Sequence, residues 1–191
     1  MQFLLDHVSS ILVSGAVLLM VLSTNLSAQR AAIEETVAYA AKVQTLNLAD
    51  YLEDDLLLIG DGTSDTIEEI DTNGDGQTTL FSFWREDESE VDMLVSYTLT
   101  ETEEVEIDGE SIQLYQLNRF EDGDAAGGGA STLESFTVTM LNSAGNETSG
   151  IGAARLLRIR AVNVYPYGDA DDMDMFRSYW GITIAPPNLD S

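Results

Sequence analysis

From Met1 to Ile59 the chain contains a single glycine, Gly15, and no proline. Glycine and proline cost a helix interior about 1 and about 3 kcal/mol, so nothing in this span obliges a helix to stop. The first part also lacks charge. From Val8 to Ala28 there is no Asp, Glu, Lys or Arg, and Ile11, Leu12, Val13, Val17, Leu18, Leu19, Met20, Val21 and Leu22 dominate. At about 1.5 Å per residue such a run matches the roughly 30 Å of hydrocarbon in a bilayer.

The second part has a different texture. Between Ala28 and Leu58, apolar residues fall at Ile33, Val37, Ala40, Ala41, Leu48, Tyr51, Leu52 and Leu56, mostly three, four or seven apart. That spacing predicts an amphipathic helix continuing the apolar one, with Gly60-Asp61-Gly62 as its stop. The expected element is a helix over residues 1–59, apolar over 1–28 and one-faced over 29–59, roughly 80 Å long. Two halves of such different character call for two environments.

A cleaved secretory signal fits poorly, because the run is preceded by Asp6 instead of positive charge and LSAQRAAIEE carries the helix onward. A single-pass anchor holding an acidic binding domain is a second reading. Arg30 would then place the bulk of the chain on the cytoplasmic side.

Beyond Gly60 short runs rich in Thr, Val, Tyr and Phe alternate with Gly, Asp and Asn clusters: TTLFSFW, DMLVSYTLT, SIQLYQLN, ESFTVTML, RLLRIRAVNVYPY and SYWGITIA. Period-two alternation, as in Phe136-Thr137-Val138-Thr139-Met140, predicts strands. The fold class is α+β: one long N-terminal helix, then a mostly antiparallel sheet over residues 60–191 whose apolar face covers the amphipathic half-helix. EIDGES and DGDAAGGGAS are read as turns, and EDGDAAGGGAS as a mobile surface loop.

Charge and composition exclude several functions. Thirty-four acidic residues against eight basic ones give a net charge of −26, which repels phosphate backbones, so no nucleic-acid partner is expected. The balance suits a saline habitat, where the screening length falls to a few ångströms. There is no cysteine, and His7 is the only histidine. The chain beyond the apolar run therefore cannot build a Ser-His-Asp triad, a Cys-His pair or a histidine zinc site. It is read as no enzyme.

Phe3, Leu4, Leu5 and Asp6, followed by the apolar run to Leu26 and then the half-buried helix and sheet, resemble the type IV pilin superfamily, which includes the pseudopilins of type II secretion. SYTLT, LYQLNR, a Gly-rich stretch and LESFTVTMLNSAG are also similar to larger minor pseudopilins. Aspartate stands where the family has glutamate, at the family's spacing if the chain begins at Gln2, and the mid-helix proline of the family is missing; Gly15 and Ser23-Thr24-Asn25 are the candidates for local unwinding. The resemblance implies a structural subunit of an extracellular helical filament on a bacterial cell surface. It would be held in the inner membrane before assembly and would polymerise with copies of itself. Phe3, Leu4, Leu5, Leu12, Leu18 and Leu22 would form the assembly surface, and Asp6 would pair with an N-terminal amine. A minor pseudopilin of a secretion system is the alternative within the family.

One segment carries metal chemistry. IDTNGDGQTTL places Asp71, Asn73, Asp75 and Gly76 as in the first half of a calcium loop, with the carbonyl of Gln77 next. Ser82 stands where the closing acid belongs, and Asn-Gly-Asp-Gly is also a plain turn. A second cluster, Asp169, Asp171, Asp172 and Asp174, reads as a solvated loop. Arg155, Arg158 and Arg160 are expected to meet acids within the domain or between subunits.

Overall fold

The computed structural model describes residues 2–61, 66–87, 89–107, 109–169 and 172–189, with side chains over 7–61, 66–87, 89–107, 109–167 and 174–189. It contains helix α1 (Gln2–Leu57) and strands β1 (Ile67–Thr72), β2 (Thr78–Glu86), β3 (Asp92–Ile107), β4 (Glu110–Glu121), β5 (Asp124–Leu141), β6 (Leu156–Asp169) and β7 (Asp172–Ile184). Two compact units divide the chain, Met1–Tyr39 and Ala40–Ser191.

The first unit is helix alone, and every described side chain from His7 to Thr36 is exposed. The helix does not unwind at Gly15 or at Ser23-Thr24-Asn25. Thr24 and Ser27 hydroxyls instead donate to the carbonyls of Met20 and Ser23, at 2.8 and 3.0 Å. Their polarity is thereby satisfied inside the helix, as a hydrocarbon environment demands.

In the second unit the last turns of α1 bury Ala41, Thr45, Leu48, Leu52, Asp55 and Leu56, and Ile59 just past the helix is buried with them. These positions lie three or four apart and make one stripe. α1 ends at Leu57, two residues short of the expected bound, and Gly60 turns the chain: it takes φ 69° and its amide donates to the Trp84 carbonyl at 2.8 Å. A Cβ there would stand 2.9 Å from Thr66 Cγ2, so glycine is needed both for the left-handed turn and for the close approach.

The seven strands pair strictly in sequence order, each antiparallel to the next. The two-residue links allow nothing else, while β5 and β6 are joined by the longer stretch 142–155. At the two-residue link Asp122-Gly123, φ is 48° and 88° between the paired residues Glu121 and Asp124; two positive φ values give the hairpin turn that matches strand twist. Strand β1, sequence IEEIDT, was not among the expected runs.

β4 and β5 pair only as far as Tyr115 and Leu133. Past that point β5 meets β2: the amides of Phe136 and Val138 donate to Gln77 Oε1 at 2.9 Å and to Thr78 Oγ1 at 2.8 Å. The sheet therefore curls, and side chains from the start of β2 satisfy strand amides that β4 has left behind. Inside the curl, Leu48, Leu52 and Leu56 pack with Phe81, Phe83, Tyr97, Leu117, Leu133, Phe136, Leu157 and Ile159, all nearly inaccessible to solvent. Each large apolar side chain so buried contributes about 1.5–3 kcal/mol.

Candidate functional site

Two features stand out: a bare apolar helix and a buried charge cluster. Leu12, Leu18 and Leu22, expected to carry assembly, are 68%, 64% and 51% exposed. Val8, Ile11, Val13, Val17, Leu19, Met20, Val21 and Leu26 are exposed as well, so the run is apolar on all sides. By length and composition this helix is long and apolar enough to cross a membrane. The backbone of Phe3, Leu4, Leu5 and Asp6 is helical, while their side chains, including the expected pairing of Asp6 with an amine, lie outside the described residues.

The charge cluster joins the helix to the sheet within the second unit. Asp55, on the buried stripe of α1, is 3% exposed, and Arg119 on β4 is 6% exposed. Arg119 donates from Nε to Asp55 Oδ2 at 2.6 Å and from Nη2 to Oδ1 at 2.9 Å, a two-point fork on one carboxylate. The Tyr97 hydroxyl from β3 donates to the same Oδ2 at 2.5 Å. Arg85 from β2 lies 3.4 Å from Asp55 Oδ1, and Glu121 accepts from Arg85 at 3.1 Å and from Arg119 at 2.7 Å. Two acids thus balance two guanidiniums.

Burial raises the Tyr97 hydroxyl pKa far above the ordinary tyrosine value, and the adjacent Asp55 charge and hydrogen bond push the same way. For Arg119 burial works against the charge. Its bonds and attraction to Asp55, then to Glu121, outweigh that cost and raise the pKa. With both Asp55 oxygens engaged, the cluster fixes one seating of the helix on three strands.

The triple glycine completes that seating, and here the structure corrects the expected mobile loop: Ala125–Ser131 belongs to β5. Between the pairs Leu117–Ala130 and Arg119–Ala126, β5 carries two extra residues, a bulge. Gly128 sits there at φ 101°, and a Cβ on it would stand 2.8 Å from the Tyr51 ring and 3.0 Å from Arg119 Cδ. A Cβ on Gly129 would meet the Leu117 carbonyl oxygen at 2.5 Å. The glycines make room for Tyr51 of the helix and for the Arg119 side chain, whose Nη1 reaches the Gly127 carbonyl at 3.4 Å.

The Asp71–Gln77 segment closes as a turn with its own bonds. Asn73 Oδ1 accepts from the amides of Asp75 and Gln77 at 3.0 and 2.9 Å, and the Gln77 carbonyl accepts from the Asn73 amide at 2.9 Å. Two of the four expected calcium ligands, Asn73 and Gln77, are thereby engaged within the turn, and Asp71 and Asp75 are exposed. Among the described residues no group of three or more Asp, Glu, His or Cys is arranged to hold a metal ion. Of the second acidic cluster, Asp174 accepts from the Tyr167 hydroxyl at 3.1 Å; Asp169, Asp171 and Asp172 fall outside the residues whose side chains are described.

Sequence reasoning missed Asp55, Tyr97, Arg85 and Arg119. The signal available was an acid at a stripe position, three residues after Leu52 and four after Tyr51. Arg158, by contrast, reaches only Glu147 among the described residues, at 3.9 Å. Comparison with protein families, with characterised proteins and with solved structures finds no match.

Proposed function

We propose that the chain is a structural, pilin-like subunit that polymerises through its N-terminal helix into an extracellular filament. The observation that carries this reading is the character of α1: one unbroken element whose first half exposes apolar side chains on all sides and whose last turns are built into an acidic sheet unit.

An apolar helix of this kind has two stable homes, lipid and other apolar helices. Close packing between helices replaces lipid contacts at little cost, and once the subunit leaves the membrane the apolar area must be hidden from water. Leu12, Leu18 and Leu22 then pack against neighbouring copies, and Asp6 meets an N-terminal amine and sets the register. The sheet units carry the charge. At −26 per copy their mutual repulsion is offset by salt or bound cations.

Asp6→Ala tests the reading. The variant keeps the fold, measured by circular dichroism in detergent, and loses filament yield on detergent removal; an unchanged yield would contradict the role given to Asp6. A chain that stays single in a bilayer would be a membrane-anchored domain instead.

A further inference from the structure

The acidity is not evenly spread. Residues 148–167 and 175–189 contain none of the 34 acids, where the chain average would place about six, and they hold Arg155, Arg158, Arg160 and Arg177, half of all basic residues. These segments are the body of the β6–β7 hairpin, and β7 is a terminal strand of the sheet.

Register separates the two faces of this hairpin. Arg160 pairs with Thr137 on β5 and Gly181 on β7, Arg158 with Thr139 and Thr183, and Val162 with Ser135 and Tyr179. Directly paired residues share a face, so Arg158, Arg160 and Tyr179 stand together on one surface. The opposite face carries Ile159, Ala161, Trp180 and Ile182, which pack in or against the core. Tyr179 is 72% exposed. Arg160 is exposed and makes no ion pair among the described residues, and Arg158 has only the long contact with Glu147, itself 75% exposed.

For a −26 chain this strip is poor in acids: its neighbouring carboxylates are Glu147, in long contact with Arg158, and Glu110 and Glu134 beside Tyr179, of which Glu134 is already engaged by Arg177. Arginine and tyrosine are also the residues enriched where interfaces hold most strongly. The complementary surface is on the same molecule: the far end of β3 exposes Glu101, Glu103, Glu104 and Glu106. Because the two patches differ, a contact between them is head-to-tail, the kind that propagates from copy to copy as a ring or an open filament.

We infer that the β5–β7 face around Arg158, Arg160 and Tyr179 docks the acidic end of β3 on a second copy of this chain. The contact deepens the filament reading by naming a sheet-to-sheet interface. It is measured in detergent, where the apolar helices are covered, so it does not need filaments to be seen.

The test is sedimentation velocity of the full-length chain in detergent over a concentration series at moderate salt. Wild type is expected to associate as concentration rises. The double variant Arg158→Glu/Arg160→Glu is expected to weaken association at least tenfold with an unchanged thermal melt, and adding Glu103→Arg/Glu104→Arg is expected to restore it. Wild type that shows no association, a double variant identical to wild type, or a four-site variant that folds but is not restored would each overturn the inference. Detergent removal of the same wild-type sample reads filament formation separately.

Discussion

Asp55 on the helix and Arg119 on β4, separated by 64 positions in the chain, meet through a fork of 2.6 and 2.9 Å. That fork, with Tyr97 and Arg85 on the same carboxylate, is what seats the last turns of α1 on the sheet.

Removing Asp55 leaves two guanidiniums facing a buried gap, and breaking a buried pair from one side costs about 3–5 kcal/mol. Asp55→Ala should therefore lower stability by that amount in urea unfolding. Its exposed neighbour serves as control: Asp54→Ala should stay within about 0.5 kcal/mol of wild type. Equal effects at the two sites would mean that the fork does not hold the helix.

The glycine bulge gives a second expectation. Gly128→Ala must place a Cβ 2.8 Å from the Tyr51 ring at φ 101°, a conformation that costs a non-glycine residue about 1–3 kcal/mol before the clash is counted. A loss of at least 2 kcal/mol is expected, against little change for Gly152→Ala, where a Cβ meets nothing within 4 Å. Thermal melts of the two variants decide it.

Tyr97 sets an alkaline limit. Its native pKa is raised above the value in the unfolded chain, about 10. The stability this contributes is fully present below about pH 10 and is lost as pH climbs from there toward the native value. Urea unfolding at pH 8, 10 and 11.5 should show wild type losing stability faster than Tyr97→Phe above pH 10. The variant should start lower at pH 8, by roughly 1–2 kcal/mol for the lost bond to Asp55.

The Asp71–Gln77 turn is closed by four hydrogen bonds of its own, at 2.9, 2.9, 3.0 and 3.1 Å. Chelation should accordingly leave the melting temperature within about 1 °C; one kcal/mol of lost ion binding would move it by about 2–4 °C in a chain of this size. A larger fall on adding EDTA would establish a cation site at Asp71 and Asp75.

Much of the fold was legible because it rests on local rules. A span free of proline and nearly free of glycine became one helix ending at Leu57, just before Gly60, and alternating Thr, Val and Phe became strands, several of them joined by Gly-containing turns. What escaped depends on contacts distant in sequence. IEEIDT looks too acidic for a strand, yet β1 lies at the sheet's edge, where Glu68 takes the Trp84 indole N–H at 2.8 Å. Ala-Ala-Gly-Gly-Gly-Ala-Ser looks like a loop until Tyr51 and Arg119 are seen to need the space. Asp55 looks like one more surface acid, since only the fold shows that Arg85, Tyr97 and Arg119 converge on it.

In the proposed filament the apolar half of α1 ends against copies of itself. Removing detergent from the purified full-length chain in molar salt, followed by negative-stain electron microscopy, tests it most directly. Long filaments that loosen when the salt is diluted are expected. Monodisperse single chains inserted in added lipid vesicles, with no filaments at any salt, would contradict it.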